Sequence, residues 1–296
     1  MLTHHWPNGG KPNRVVVIGA NGFVGSTIMR QAISKDIPLF PITRDKVDLL
    51  GSDAATELSA LLRPKDVVVA ASAIAPVKTP DMLIDNITLS TAIADAIILQ
   101  PVAHLINIGS DAIYADSPDP LTEDSCREPV SLHGVMHFAR ELLLNAATSE
   151  AVFTTIRPTL IYGHNDPHNG YGPNRFRRLA QKGEPIILFG EGEEQRDHIW
   201  VEDVADLVLR IIINRSEGVL NAATGTVISF REVANMIVEL SEIPVSVITS
   251  PRIGPMPHNG YRPFDPIETY KSFPDFNYTM PNEGFSHAQL DHPGAK

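Results

Sequence analysis

The chain has 296 residues, 43% of them hydrophobic, enough for one large α/β domain and a smaller one with a real core. Its 24 basic and 35 acidic side chains give a formal net charge of −11, with no clustered Lys and Arg, which argues against nucleic acid and anionic membrane surfaces as partners. No 18 apolar residues run together and Cys126 is the only cysteine, so neither a membrane span nor an intrachain disulfide is expected, and a reducing cytoplasm fits.

Residues 1–13, with His4, His5, Pro7, Gly9 and Gly10, lack the apolar centre of a signal peptide and read as a flexible leader. Val15 to Ile18 then form a continuous apolar run, the pattern of a strand buried on both faces of a parallel sheet. Gly19, Gly22 and Gly25 follow at once, and a helical pattern with Ile28 and Ala32 comes next. Strand, glycine turn and helix together bring backbone close to a pyrophosphate and aim unpaired N–H groups at it. The alternative is a tight structural turn.

Pro38 to Thr43 is the next strand candidate, and its end carries Arg44 and Asp45. An arginine there suits the 2′-phosphate of NADP, whereas Asp45 keeps NAD open. Asp48 and Leu49 open a helix through Leu61 and Leu62; Asp66 to Ala71 is a strand whose Ala70 and Ala71 leave room for a cofactor. Asp85 to Ile98 reads as helix, with Asn86 serving either the cofactor or its own backbone. His104 to Ile108 is a further strand running into Gly109, Ser110 and Asp111. Strands alternating with helices imply a doubly wound α/β sheet, with ligands outside the carboxyl ends of its strands.

The order of these motifs resembles the extended short-chain dehydrogenase/reductase family of nucleotide-sugar epimerases, dehydratases and keto reductases. GANGFVG (Gly19, Asn21, Gly22, Phe23, Val24, Gly25) matches the glycine signature, NIGSDAIYAD the serine-bearing strand end, and IRPTLIYG, with Pro158, the nicotinamide-side loop. ILFGEGEEQRDHIWVEDVADLV resembles the substrate-domain signature. The resemblance implies a Rossmann domain over residues 14–160 and about 199–224, and a substrate domain over about 161–198 and 225–296. It also implies NADP or NAD as cofactor and a nucleotide sugar as substrate. Asp111, Leu160, Arg196 and Arg262 would lie at the substrate, the arginines on its diphosphate. A homodimer is carried as an open expectation.

The chain departs from the family at the catalytic phrase. Where the family has Tyr-x-x-x-Lys, this sequence places His133 and His137, with Ser131, Gly134, Arg140 and Glu141 in step. A histidine titrates near neutral pH without an auxiliary lysine, so His133 with Ser110 is the candidate acid/base pair, and His137 takes the lysine position. Imidazole is shorter than phenol, and His137 cannot reach a ribose as lysine does. Two further readings stay open: a cofactor-binding regulator that has lost the reaction, and a metal pair at His133 and His137 supplemented by His164, His168 or His198. Nothing in the spacing demands a metal. Leu160 replaces an asparagine common in the family.

Asn165 to Arg178 reads as a loop leading into a helix, in which Arg175, Arg177 and Arg178 make a cationic cluster suited to an anion or to a solvated face.

Overall fold

In a computed structural model, residues 2–148 and 151–290 are described. The first half of the chain runs β1 (Leu2–His4), β2 (Arg14–Ile18), α1 (Phe23–Ser34), β3 (Leu39–Ile42), α2 (Ala54–Leu61), β4 (Asp66–Ala70), α3 (Pro80–Leu99), β5 (His104–Ile108), α4 (Leu132–Ala146) and β6 (Val152–Pro158). The second half runs β7 (Leu160–Tyr162), α5 (Pro173–Gln181), β8 (Ile186–Phe189), β9 (Gln195–Trp200), α6 (Val201–Asn214), β10 (Ser216–Ala222), β11 (Val227–Ser229), α7 (Phe230–Glu239), β12 (Val247–Ser250), β13 (Tyr261–Arg262), α8 (Ile267–Ser272) and α9 (Pro281–Leu290).

A seven-stranded sheet of order β1-β10-β6-β5-β4-β2-β3 carries the chain, parallel throughout except at β1. The pleat divides β2 between two cores. Val15 and Val17 face Ile28 and Ala32 of α1 and the buried residues of α6, while Val16 and Ile18 face α2, α3 and Leu144 of α4. The doubly wound α/β architecture expected from the alternating pattern is therefore present. α3 is the one described helix long and apolar enough to cross a membrane by length and composition, yet Leu89, Ile93 and Ile97 are buried against the sheet.

Residues 2–4 correct the leader expectation. They add an edge strand, with Leu2 opposite Gly218 and His4 opposite Ser216, and the His4 ring bridges the Ser216 hydroxyl (2.8 Å) and the Ser272 carbonyl (2.9 Å). Farther on, Gly10 N–H donates to the Ile213 carbonyl at 2.8 Å. An open edge on β10 would leave backbone groups unpaired, and this segment covers it. Met1 lies outside the described residues.

A smaller layer stands beyond the carboxyl ends of the main sheet. β11, β13 and β7 each pair with β9, and β12 pairs with β8. Phe176, Ile186, Leu188, Phe230, Val233 and Ile237 form its separate core. Of the segment expected to complete this unit, residues 291–296 lie outside the described residues.

Candidate functional site

Between the layers lies a cleft of about 950 Å³, running along the carboxyl ends of β2 to β6. Its floor begins at the glycine turn. Gly19 has φ +87°, and a Cβ there would stand 2.7 Å from the Ser72 amide nitrogen; one on Gly25 would stand 2.2 Å from the Gly19 carbonyl. Only bare backbone lets α1 start this close to β2. Gly22 caps α1 with no side-chain hydrogen bond, so the first N–H groups of the helix have no capping side chain. Gly19, Asn21, Gly22, Phe23 and Val24 line the cleft, while Gly25 lies outside the lining and serves the close packing. A pyrophosphate fits such a cradle.

Along one arm, Thr43, Arg44, Asp48 and Leu49 line the wall. The Arg44 side chain is 80% exposed and 3.6 Å from Asp48, whereas Asp45 does not line the cleft. Ala71 lines the middle; Ala70 is fully buried beneath it and supports the floor without touching the space. Asn86 is corrected to a structural role. Its amide accepts from Ile74 N–H (2.9 Å) and donates to the carbonyls of Ile74 (3.0 Å) and Met82 (2.7 Å), so its hydrogen bonds are spent holding the loop after β4.

Ser110, Asp111, His133, His137, Pro158 and Leu160 meet in the centre of the cleft. Ser131 caps α4 by accepting from Gly134 N–H at 3.1 Å, and this fixes the first turn that carries His133. Gly134 sits against the Ala112 carbonyl, 2.2 Å from where its Cβ would lie, and so joins α4 closely to the Ser110 loop. His133 and His137 stack edge to face with centroids 4.7 Å apart. Val77 N–H donates to His133 Nδ1 at 3.5 Å, a contact that assigns the ring proton of the neutral form to Nε2. Burial lowers the proton affinity of both rings, and for His137 the neighbouring His133 and Arg140 lower it further. Both imidazoles are therefore neutral near pH 7.

Arg140 was read from the sequence only as keeping register, and it proves to be the buried cation of the site. Its guanidinium donates to Asn107 Oδ1 (2.8 Å) and to the carbonyls of Ser72 (2.6 Å) and Ala70 (2.7 Å), tying α4 to the ends of β4 and β5. The next residue, Glu141, takes Arg157 in a buried two-point pair (3.1 and 2.5 Å), and Arg157 also donates to the Tyr114 hydroxyl at 2.6 Å. Removing one partner of such a pair strands a charge. Arg157→Leu is expected to lower unfolding free energy by about 3–5 kcal/mol in a denaturant titration, with part recovered in Glu141→Leu/Arg157→Leu.

At the far end, Arg196 lines the cleft, 3.4 Å from Glu194 and 3.7 Å from Asp111. Arg262 is corrected: it does not line the cleft and is 1% exposed. It donates to Asp111 Oδ2 (3.1 Å), Asp116 Oδ1 (2.8 Å) and the carbonyls of Asp111 (2.7 Å) and Tyr114 (3.2 Å), so it holds the loop after β5 in shape. Asp197 is likewise structural, accepting from Thr159 (2.8 Å), the amide (3.1 Å) and hydroxyl (2.9 Å) of Thr224, and Gly225 N–H (2.8 Å).

The metal reading is not supported by the arrangement. His198 is fully buried against Phe230 outside the cleft, and among the described residues no group of three or more His, Cys, Asp and Glu can hold an ion. His168 does face the cleft, bonded through Nδ1 to Asp166 at 2.8 Å. Its place in the sequence suggests only a metal ligand. Of the cationic cluster, Arg177 donates to the Gly163, His164 and Ala288 carbonyls, and Arg178 to that of His168 (2.7 Å), so both brace the loop after β7.

Comparison with known proteins agrees with this architecture. Residues 15–223 match the model of the NAD dependent epimerase/dehydratase family. A probable GDP-L-fucose synthase 1 of Oryza sativa subsp. japonica is 26% identical over 255 residues, 78% of this chain and 77% of the relative. The GDP-L-fucose synthase of Escherichia coli K12 is 25% identical over 263 residues, 77% of this chain and 81% of the relative. Among solved structures, UDP-glucose 4-epimerase of Thermotoga maritima with UDP-glucose has a TM-score of 0.82 at 20% identity, covering 93% of this chain and 97% of the other. MoeE5 in complex with UDP-glucose and NAD has a TM-score of 0.80 at 22% identity, covering 94% of this chain and 97% of the other. The cleft, its glycine turn and its strand-end residues are thus those of a chain that belongs to the NAD dependent epimerase/dehydratase family.

Proposed function

We propose that this protein is an NAD(P)-dependent enzyme acting as epimerase, dehydratase or reductase on a nucleotide-linked sugar. The observation that carries the reading is the continuity of one cleft, from the uncapped start of α1, past Ser110 and His133, to Arg196. Residues from Arg44 to Pro158 would hold a dinucleotide that supplies or accepts hydride, and a sugar nucleotide with its phosphates toward Arg196 would put its sugar at His133. There the neutral ring presents Nε2–H as a hydrogen-bond donor to the reacting oxygen. Ser110 caps the turn at Asp111, accepting from Ala112 N–H at 3.1 Å, which holds its hydroxyl at the same place. Water exclusion falls to Leu160 and Ile161 along the walls. The test is conversion of UDP- and GDP-linked sugars by the purified protein with oxidised or reduced dinucleotide, read as product sugar nucleotide by chromatography and, for a reductase, also as NADPH or NADH consumed. Turnover with any of them supports the reading, and its absence despite dinucleotide binding sinks it.

That second outcome would favour the regulatory alternative, and one observation points its way. His137 is 7% exposed with Nδ1 unpartnered, so the mobile cation of the lysine position is missing.

NADP is the proposed cofactor over NAD because Arg44, and no carboxylate of Asp45, faces the arm of the cleft. Arg44→Ala is expected to weaken NADPH affinity about fivefold while leaving NADH within about twofold, since one exposed charge–phosphate contact supplies on the order of 1 kcal/mol. Equal weakening of both, by titration of cofactor fluorescence, would remove Arg44 from the 2′-phosphate. A homodimer through α3 and α4 is supported by their exposed Ile84, Ile98, Val135 and Leu142. A cytoplasmic location is supported by the lone cysteine.

A further inference from the structure

A neutral His133 leaves the reacting oxygen polarised but without a source for its proton. A second group in the cleft can supply it. His168 stands on the loop between β7 and α5, with its Nδ1 bonded to Asp166 Oδ1 at 2.8 Å. Asp166 is 8% exposed, and it is fixed on both sides: its Oδ1 also accepts the His168 backbone N–H at 3.0 Å, and its Oδ2 accepts Asn174 Nδ2 at 2.6 Å. Arg178 braces the backbone of the same turn through the carbonyls of Asp166 and His168. Both Asp166 and His168 line the cleft that holds His133. The carboxylate occupies Nδ1, so Nε2, on the side of the Ala75 carbonyl at the cleft wall, is the nitrogen that exchanges a proton.

We propose that Asp166 and His168 form the proton-exchanging pair of this cleft, with His168 Nε2 as the acid that protonates the reacting oxygen of the sugar. The inference rests on the nucleotide-sugar reading and adds to it a second catalytic residue. In the reducing direction the carbonyl carbon gains a hydride from a reduced nicotinamide dinucleotide, and the π pair of the C=O bond moves to oxygen. That oxygen forms its O–H bond with the proton of Nε2. The imidazolium thereby becomes a neutral imidazole, with Nδ1–H still on Asp166, and water restores the lost proton. The oxidising direction reverses each transfer.

The surroundings divide the labour between the two rings. Around His168 stand Asp166, whose hydrogen bond and charge favour the imidazolium, the Ala75 carbonyl, which favours it too, and Arg178, which opposes it. The first outweighs the rest, and the ring holds its proton more firmly than a free histidine. His133, desolvated and facing the charge of His168, holds its proton less firmly in spite of Asp111. Two like groups pushed to opposite protonation states are the pattern of an acid beside a neutral electrophile. The reaction then requires His168 charged, and its rate falls on the alkaline side as His168 deprotonates above pH 6.5.

The experiment is an NMR titration of the histidine Cε1–H signals of the full chain, with His168 assigned by His168→Gln. His168 is expected to titrate above 6.5 in the wild type, to fall toward 6.5 or below in Asp166→Asn, and to shift when UDP-glucose or GDP-fucose saturates the protein. Titration at or below 6.5 in the wild type, or no response to either bound sugar nucleotide, would overturn the proposal. In turnover, His168→Gln is expected to lower kcat about 10²–10⁴-fold with KM little changed, and to abolish the alkaline limb of the pH profile. A variant with wild-type kcat, or one that loses rate yet keeps that limb, would also overturn it. If no sugar nucleotide binds or turns over, the functional reading fails instead, and the wild-type titration with its Asp166→Asn control still decides whether this pair carries the proton.

Discussion

His133→Ala is expected to lower kcat by about 10²–10³-fold while dinucleotide affinity stays near that of the wild type. The size follows from the role: a preorganised hydrogen-bond donor on a developing alkoxide contributes about that factor in a water-poor site. Burial holds the ring neutral, so its Nε2–H is available without any proton release, and Val77 N–H at Nδ1 keeps that tautomer. His133 is lowered below 6.5 in the folded protein, so near neutrality it donates as the neutral ring, and protonation at lower pH adds a hydrogen at Nδ1 without removing the one on Nε2. The alkaline limb that His168 sets should therefore persist in His133→Ala. His133→Tyr/His137→Lys is the informative partner. The Arg140 guanidinium is a buried cation close enough to act on His137, so a lysine ammonium at that position meets like charge. The double variant is expected to be less active than the wild type. Higher activity in it would show instead a decayed form of the Tyr–Lys machinery.

The divided legibility of this site has physical causes. Val15 to Ile18 and the glycines after them were readable because a strand buried on both faces and a turn without side chains are local demands on sequence. Ser110, His133 and Arg196 were readable because motifs with fixed spacing placed them, and the cleft does bring them together. Arg262 was misassigned because its partners, Asp111 and Asp116, lie 151 and 146 positions away. No local pattern tells an arginine that binds a ligand from one that holds a loop. The strand at residues 2–4 was invisible for a related reason, since three residues carry no periodicity and their order comes from the open edge of β10. Asp166 and His168 sit two apart in a loop rich in Gly, Asn and Pro, where such a pair means little until the loop is seen against the cleft. Asn86 was weighed both ways, and only its three hydrogen bonds to the chain decided between them.

The largest expected effect on cofactor binding belongs to Gly25→Ala. A methyl group there would stand 2.2 Å from the Gly19 carbonyl oxygen, 3.0 Å from its carbon and 3.3 Å from Ala20 Cα, all of them backbone. No rotamer relieves such a contact, so α1 must lift away from the end of β2, and the N–H groups at its start leave the place a pyrophosphate would occupy. Overpacking of this kind costs about 1–3 kcal/mol of stability. The functional loss is larger, because the cradle is a geometric object. In the wild type, NADPH at about 100 times its Kd should stabilise the fold by about 2.7 kcal/mol and raise the melting temperature accordingly. In Gly25→Ala that rise should vanish while the protein remains folded by circular dichroism. A rise in Gly25→Ala as large as that of the wild type would mean that the closeness of α1 to β2 is not what holds the cofactor, and that the open N–H groups of the helix suffice by themselves.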